Sequence, residues 1–112
     1  MTNVKDDMYY LNKIVSDLEF IINHTSNIEQ SELENNEILV DSILFRIIQI
    51  AENNNKLSDD FKKTYSNVPW NAIKGMRNRI VHDYGEVSML IVYDTVTNGI
   101  PNMYNAIKDL IM

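Results

Sequence analysis

The chain has 112 residues, a formal net charge of −6 and 45% apolar residues, which is the composition of a single soluble globular domain. It contains no cysteine, which excludes a disulfide scaffold, a thiol nucleophile and any cysteine-ligated metal site. Two histidines leave little for a histidine-rich metal site. Taken as a total, the acidic charge argues against a nucleic-acid partner.

The N-terminal residues lack a basic leader followed by an apolar run, and no stretch approaches 18 uninterrupted apolar residues. We therefore expect a cytoplasmic protein without a signal peptide or a membrane span. Apolar residues recur every three or four positions along most of the chain, which predicts helices. The polar residues 26–36 predict a long connection after the first helical stripe, which consists of Val4, Met8, Leu11, Val15, Leu18 and Ile22.

A second helix is predicted over residues 36–54, where three successive asparagines suit a helix end. Ser58, followed by two aspartates, predicts the cap and first turn of a short helix. Pro69 predicts the start of another helix, because proline lacks the N–H that the first helical position leaves unused. Trp70, beside it, is predicted to be a core residue, and His24 a cap or surface residue.

The helix after Pro69 is predicted to turn four apolar residues toward the core and to break at Gly85. These four residues are Ile73, Met76, Ile80 and Val81. A last helix is predicted from about residue 87, with a kink at Gly99 and Pro101.

Together these elements predict an all-α fold: an antiparallel four-helix bundle with an additional short helix, in one domain over residues 1–112. The second helix is apolar over more than half of its circumference. That pattern suits a central helix or a face shared with another subunit, so we also expect a homodimer.

The charge is unevenly distributed along the chain. Residues 56–82 carry six basic and two acidic side chains, whereas the segments before and after them are acidic. This basic segment is either a set of solvated helix faces or a local anion-binding site that the total charge hides.

The most informative residues lie at the end of the basic segment, in the sequence GMRNRIVHDY of residues 75–84. His82 can take and return a proton near neutral pH, and Arg77 can hold a phosphate and stabilise charge that develops on it. Asn78 can orient a hydroxyl group or bind a phosphate oxygen. These groups suffice for metal-independent RNA cleavage by a ribose 2′-hydroxyl, and they suffice equally for nucleotide binding without turnover.

The basic neighbours Lys74 and Arg79 are candidate RNA contacts. Arg77 and His82 lie about 140° apart on a continuous helix, so they converge only if the helix ends near His82 or if two copies of the motif meet across a dimer. An arginine and a histidine near a helix end also commonly cap carbonyl groups or form a salt bridge, and Tyr84 can be a buried ring with a bonded hydroxyl.

The pattern Arg77-x4-His82-x-Tyr84 resembles the R-x4-H-x-Y signature of HepT-like proteins, a branch of the HEPN superfamily. The Val68-Pro69-Trp70 turn and the helix around residues 43–52 resemble further blocks of the same family, so the similarity extends over about residues 4–111. The sequence departs from the family pattern at two places: Ala51-Glu52-Asn53 stands where Gly-Glu-Ala is frequent, and Gly85 stands where an aromatic residue is common.

The resemblance implies an all-α homodimer that acts as the ribonuclease toxin of a toxin–antitoxin pair. By position, Arg77 and His82 would be catalytic and Asn78 auxiliary, in a cleft between two subunits. The implied partner is an MNT-type nucleotidyltransferase antitoxin, which would neutralise the toxin by transferring AMP from ATP to Tyr84. The toxin itself would hold no metal and no cofactor.

Two alternatives stay open beside the enzyme. The first is a non-catalytic homodimer that binds nucleotide or nucleic acid and serves a nucleotidyltransferase. The second is a purely structural bundle in which Arg77 and His82 are engaged in intramolecular bonds.

Overall fold

The structure is a computed structural model that describes residues 4–80 and 87–111, with side chains described over residues 7–80 and 87–111. In these ranges the regular elements are helical, which confirms the predicted all-α fold. They are α1 (Val4–Thr25), α2 (Gln30–Glu34), α3 (Glu37–Lys56), α4 (Asp59–Thr64), α5 (Trp70–Ile80), α6 (Met89–Asp94) and α7 (Ile100–Ile107). A π-helical turn, Thr95–Gly99, joins α6 to α7, and a 3₁₀ turn, Lys108–Ile111, follows α7.

The core forms where α1 packs against α3 on one side and against α7 on the other. The predicted stripe of α1 includes the buried Leu11, Val15 and Leu18, but it omits Ile14 and Ile21, which are fully buried. A single apolar stripe is typical of a helix that is packed on one side, whereas α1 is packed on two sides, by α3 and by α7.

None of the helices in the described ranges is long and apolar enough to cross a membrane.

Helix α3 contacts α1, α2 and α5, so it occupies the central position that its wide apolar surface predicts. Its outer side nevertheless keeps Ile38 82% exposed and Phe45 60% exposed. The predicted end of this helix at residue 54 is wrong, because α3 continues to Lys56 and buries Asn53 and Asn54. The Asn54 amide donates a hydrogen bond to the Trp70 carbonyl at 3.3 Å, which connects the end of α3 to the start of α5.

The prediction of one short helix is incomplete, because α2 lies within the stretch predicted as a connection. The Glu29 backbone N–H donates to Glu32 Oε1 at 2.8 Å, which stabilises the first turn of α2. Leu33 is the only residue of this helix that is buried. Five residues with one buried side chain do not make a periodic pattern, so periodicity could not reveal α2.

Ser58 caps α4 as predicted and also attaches it to α1. Its hydroxyl accepts a hydrogen bond from the Phe61 N–H at 3.1 Å and donates one to Asp7 Oδ2 at 2.7 Å. The Ser58 backbone N–H donates to the other oxygen of Asp7 at 2.8 Å. Asp7 is 5% exposed, so α4 is held in place by a buried carboxylate whose two oxygens are both bonded.

Helix α5 begins at Trp70, which is buried as predicted. Its indole Nε1–H donates to the Tyr65 carbonyl at 3.1 Å, and its ring lies 6.0 Å from the Phe61 ring, centroid to centroid. Ile73 and Ile80 are buried and Met76 is half-buried, in agreement with the predicted core side of this helix. The predictions for Val81 and Gly85 fall outside the described residues.

His24 is exposed near the end of α1, where its Nδ1 bonds the Phe20 carbonyl at 2.8 Å. The prediction of a cap or surface residue is therefore confirmed. The last helix starts at Met89, two residues later than predicted, with the Ser88 hydroxyl accepting from the Ile91 N–H.

The structure places a π-helical turn where the sequence predicts a kink. The Ile100 N–H bonds the Thr95 carbonyl five residues back, and Pro101, which has no N–H, follows directly. Val92, Val96 and Ile100 are separated by two steps of four residues, which would drift by about 80° around an ordinary α-helix. The wider π turn takes up part of this drift, and all three side chains remain buried.

Two helical glycines differ in the space around them, and this difference predicts how each responds to alanine. A Cβ atom on Gly75 would meet nothing within 4 Å, whereas one on Gly99 would lie 3.3 Å from Met76 Cε. Gly75→Ala is expected to raise the free energy of unfolding by about 0.5–1 kcal/mol, because alanine restricts the unfolded chain and favours the helix. Gly99→Ala should raise the free energy of unfolding by less, because Met76 must shift to make room for the new Cβ atom. Urea unfolding followed by circular dichroism measures both, and equal gains would contradict the close packing at Gly99.

Candidate functional site

Helix α5 carries all of the candidate site residues that the structure describes. Its apolar side is buried through Trp70, Ile73 and Ile80, and this anchors the helix against the bundle. The four polar candidates Lys74, Arg77, Asn78 and Arg79 are exposed and are spread around the rest of the helix. The structure therefore presents these side chains to solvent on a rigid element.

Arg77 lies in the last turn of α5 and is exposed. Its Nη1 donates to Asn78 Oδ1 at 3.2 Å, so the predicted catalytic arginine and the predicted auxiliary amide are in direct contact. Among the described side chains, no carboxylate lies within 4.0 Å of the Arg77 guanidinium. Within the described part of the chain, this guanidinium is engaged by Asn78 and by no carboxylate, and its fork of N–H donors suits an anion.

Arg79 is placed differently from Arg77. The two residues point about 160° apart around α5. Arg79 Nη1 lies 3.6 Å from Asp94 Oδ2, and both side chains are about half exposed. It lines a groove of about 490 Å³ between α5 and the last helix, together with Gly75, Met76 and Gly99. Of the two candidate RNA contacts, Lys74 is therefore the one that shares a side of α5 with Arg77.

The remaining cations of the described chain are mostly engaged elsewhere. Arg46 forms a salt bridge with Asp17 at 2.7 Å and stacks on the Phe20 ring at 3.9 Å. Lysine ammonium groups lie over tyrosine rings at 5.3–5.8 Å in three further pairs, namely Lys13 with Tyr9, Lys56 with Tyr10 and Lys108 with Tyr104.

Within the described residues, four cations have neither a carboxylate nor an aromatic partner. They are Lys62, Lys63, Lys74 and Arg77, and all of them belong to α4 or α5. Four of the six described cations of the basic segment thus lack such a partner, whereas Lys56 and Arg79 of the same segment and the described basic residues outside it each have one.

Sequence reasoning did not include Lys62 and Lys63 among the site residues. Both line a cleft of about 480 Å³ between α4 and the first turn of α5, next to Asn71. They belong to the same basic segment as Arg77, which is the signal that could have identified them. What the sequence did not provide was the packing of α4 beside the start of α5.

The predictions for His82 and Tyr84 fall outside the described residues, which end at Ile80 and resume at residue 87. Within the described ranges, no three histidine, cysteine or acidic side chains come together as a candidate metal-ion site.

Comparison with known protein families matches residues 14–110 to the family described as Ribonuclease HepT-like. This match spans nearly the whole bundle and includes α4, α5 and Arg77. The chain belongs to the HepT-like ribonuclease family. The resemblance inferred from the signature around Arg77 is thereby confirmed.

Individual relatives of this HepT-like chain carry ribonuclease names. A candidate RNase of Caldanaerobacter subterraneus subsp. tengcongensis is 28% identical over 102 residues, covering 91% of each chain. A candidate RNase of Methanocaldococcus jannaschii is 28% identical over 107 residues, covering 96% of this chain and 88% of the relative. A candidate ribonuclease HepT of Thermococcus cleftensis is 28% identical over 61 residues, covering 54% of this chain and 56% of the relative. No solved structure shows a significant match.

Proposed function

We propose that this HepT-like protein is a metal-independent endoribonuclease in which Arg77 and His82 are the catalytic residues and Asn78 is auxiliary. One observation carries the proposal: the Arg77 guanidinium is exposed, bonded to Asn78 and without a carboxylate partner among the described residues. An arginine used only for structure is typically paired, as Arg46 is with Asp17. The ribonuclease names of the relatives support the same reaction class.

The reaction follows from the chemistry of these groups. His82 removes the proton from a ribose 2′-hydroxyl, and the 2′-oxygen attacks the adjacent phosphorus. The bond from phosphorus to the 5′-oxygen breaks, which leaves a 2′,3′-cyclic phosphate and a 5′-hydroxyl. A second protonated histidine, from the other copy in a homodimer, gives its proton to the leaving 5′-oxygen. The Arg77 fork stabilises the negative charge that builds up on the phosphoryl oxygens.

This mechanism is tested with a matched pair of oligonucleotides in the presence of EDTA. We expect cleavage of a single-stranded RNA to products that end in a 2′,3′-cyclic phosphate, and no cleavage of the same sequence with 2′-deoxyribose throughout. Cleavage of both substrates, or of neither, would contradict the proposal. If neither substrate is cleaved, tight binding of the RNA would favour the non-catalytic binding module.

We further propose that the protein is the toxin of a toxin–antitoxin pair and that an MNT-type nucleotidyltransferase, using ATP, transfers AMP to Tyr84. Tyr84 is two residues from His82 in the sequence, so a phosphoester there would add negative charge and bulk beside the proposed catalytic groups.

Intact-mass measurement after co-expression with such a nucleotidyltransferase tests the modification. The wild-type chain should gain the mass of one or more AMP units, and Tyr84→Phe should gain none. Tyr65→Phe serves as the control, because Tyr65 lies in the same basic segment outside the motif and should be modified as fully as the wild type. An unchanged wild-type mass, with both proteins folded and ATP present, would contradict the proposed modification.

A further inference from the structure

The cleft between α4 and α5 carries charge that the proposed catalytic residues do not use. Lys62 and Lys63 line it from α4, and Asn71 lines it from α5. The carboxylate of Asp59 also lies at the cleft, but no lysine–carboxylate distance of 4.0 Å or less occurs there among the described side chains. The lining of this cleft of about 480 Å³ thus contains two lysines and one aspartate.

The cleft adjoins an exposed polar row on α5 whose last member, Asn78, is bonded to Arg77. Asn71, Lys74 and Asn78 follow each other at steps of three and four residues along α5 and form this row. From Asn71 to Arg77 the helix rises by about 9 Å and the side-chain direction changes by about 120°. A stacked single strand advances about 3.4 Å per nucleotide, so the path from the cleft to Arg77 needs at least about three nucleotides.

The aromatic wall of the cleft does not offer a stacking platform. Trp70 lines the cleft but is only 7% exposed, and its indole N–H is already bonded to the Tyr65 carbonyl. A nucleobase needs an open ring face for stacking, and Trp70 lacks one. The groups that remain for contact include the two lysine ammonium groups and the Asn71 amide, and such groups make most protein contacts to phosphate oxygens.

We propose that this cleft is a phosphate-binding subsite for single-stranded RNA, which holds the strand at least about three nucleotides away from the phosphate at Arg77. The proposal rests on the proposed ribonuclease function and extends it to a chain-length preference. Binding at the cleft should be indifferent to base sequence and should weaken steeply with salt, because phosphate contacts provide it. RNA longer than a few nucleotides should therefore bind much more tightly than a dinucleotide.

The subsite is tested by binding, independently of catalysis. The probe is 2′-O-methyl RNA of ten nucleotides, which lacks the attacking hydroxyl, with a dinucleoside monophosphate as the short reference. Trp70 is the only tryptophan of the chain and lines the cleft, so its fluorescence reports occupancy directly. Lys62→Ala/Lys63→Ala should weaken binding of the ten-nucleotide probe roughly tenfold and reduce the slope of log K against log salt by about 1. Asp59→Asn should tighten binding.

The matched control is Lys13→Ala/Lys108→Ala, which removes the same charge from α1 and the chain end. It should bind the long probe within about twofold of the wild type, since only screened long-range effects remain. An equal loss in both double variants would overturn the subsite, because the effect would then belong to net charge. The subsite would also be overturned if inorganic phosphate or ATP quenched the Trp70 fluorescence as strongly as the ten-nucleotide RNA does. That result would assign the cleft to a free phosphate.

The two proposals fail separately. If wild-type protein cleaves RNA while Lys62→Ala/Lys63→Ala binds the long probe as tightly as wild type, the subsite is wrong and the ribonuclease stands. If wild-type protein does not cleave RNA but binds the long probe through the cleft, the cleavage proposal is wrong and the phosphate subsite stands.

Discussion

Arg77→Ala is expected to lower the rate constant for RNA cleavage by about 100- to 1,000-fold, which is the usual cost of removing one donor that stabilises charge developing in a transition state. The fold should be unaffected, because Arg77 is exposed and its only described side-chain hydrogen bond is to the neighbouring Asn78. The rate is measured with a fluorogenic single-stranded RNA at saturating concentration, so that loss of binding does not mask loss of catalysis.

Arg77→Lys is the informative companion variant. Lysine keeps the positive charge but lacks the planar fork of donors, so it should restore only part of the rate. A variant at a distance, Lys108→Ala, should retain the wild-type rate. Wild-type cleavage by Arg77→Ala would remove Arg77 from the mechanism, and full recovery in Arg77→Lys would show that charge alone is required.

Trp70→Ala is expected to lower the free energy of unfolding by about 3–5 kcal/mol, the range for truncating a buried aromatic residue. The indole fills the corner where α4 meets α5, contacts the Phe61 ring and donates to the Tyr65 carbonyl. Its removal leaves a cavity and one carbonyl that has lost this donor. The free energy of unfolding is measured by urea denaturation followed by circular dichroism, since this variant contains no tryptophan whose fluorescence could be followed.

Trp70→Phe separates the two contributions. Phenylalanine keeps an aromatic ring in the corner but cannot donate to the Tyr65 carbonyl, so this variant should lose less than Trp70→Ala. Of its loss, about 1 kcal/mol is expected from the hydrogen bond and the rest from the smaller ring. A loss under 1 kcal/mol in Trp70→Ala would mean that the corner between α4 and α5 does not depend on this side chain.

Those parts of the fold that rest on local chemistry were predictable from the sequence. The cap of Ser58 on α4, the start of α5 after Pro69 and the burial of Trp70 all follow from side-chain properties that act within a few residues. The stripe of α1 was predicted only in part, because Ile14 and Ile21 are buried by a second neighbour that no local pattern reveals.

Features that depend on contacts across the chain could not be predicted. Asn54 was expected to end a helix, since asparagine is common there, but its amide is buried and bonded to the Trp70 carbonyl 16 residues away. In the candidate site, the exposure of Arg77 was predictable, whereas the pairing of Arg79 with Asp94 was not. That pairing depends on how the last helix packs beside α5.

The π turn between α6 and α7 makes the length of the chain adjustable at one place inside a helix. A π turn contains one residue more than the α-helical turn it replaces, so loss of a single residue within Thr95–Gly99 would restore ordinary winding. Val92 and Ile100 would then be seven residues apart and would point within about 20° of each other on an ordinary α-helix. The side of α6 that packs against α2 and α5 and the side of α7 that packs against α1 would therefore keep their directions. A one-residue deletion should be tolerated in this turn, whereas the same deletion in the middle of α1 or α3 would rotate every later position of that helix by about 100°.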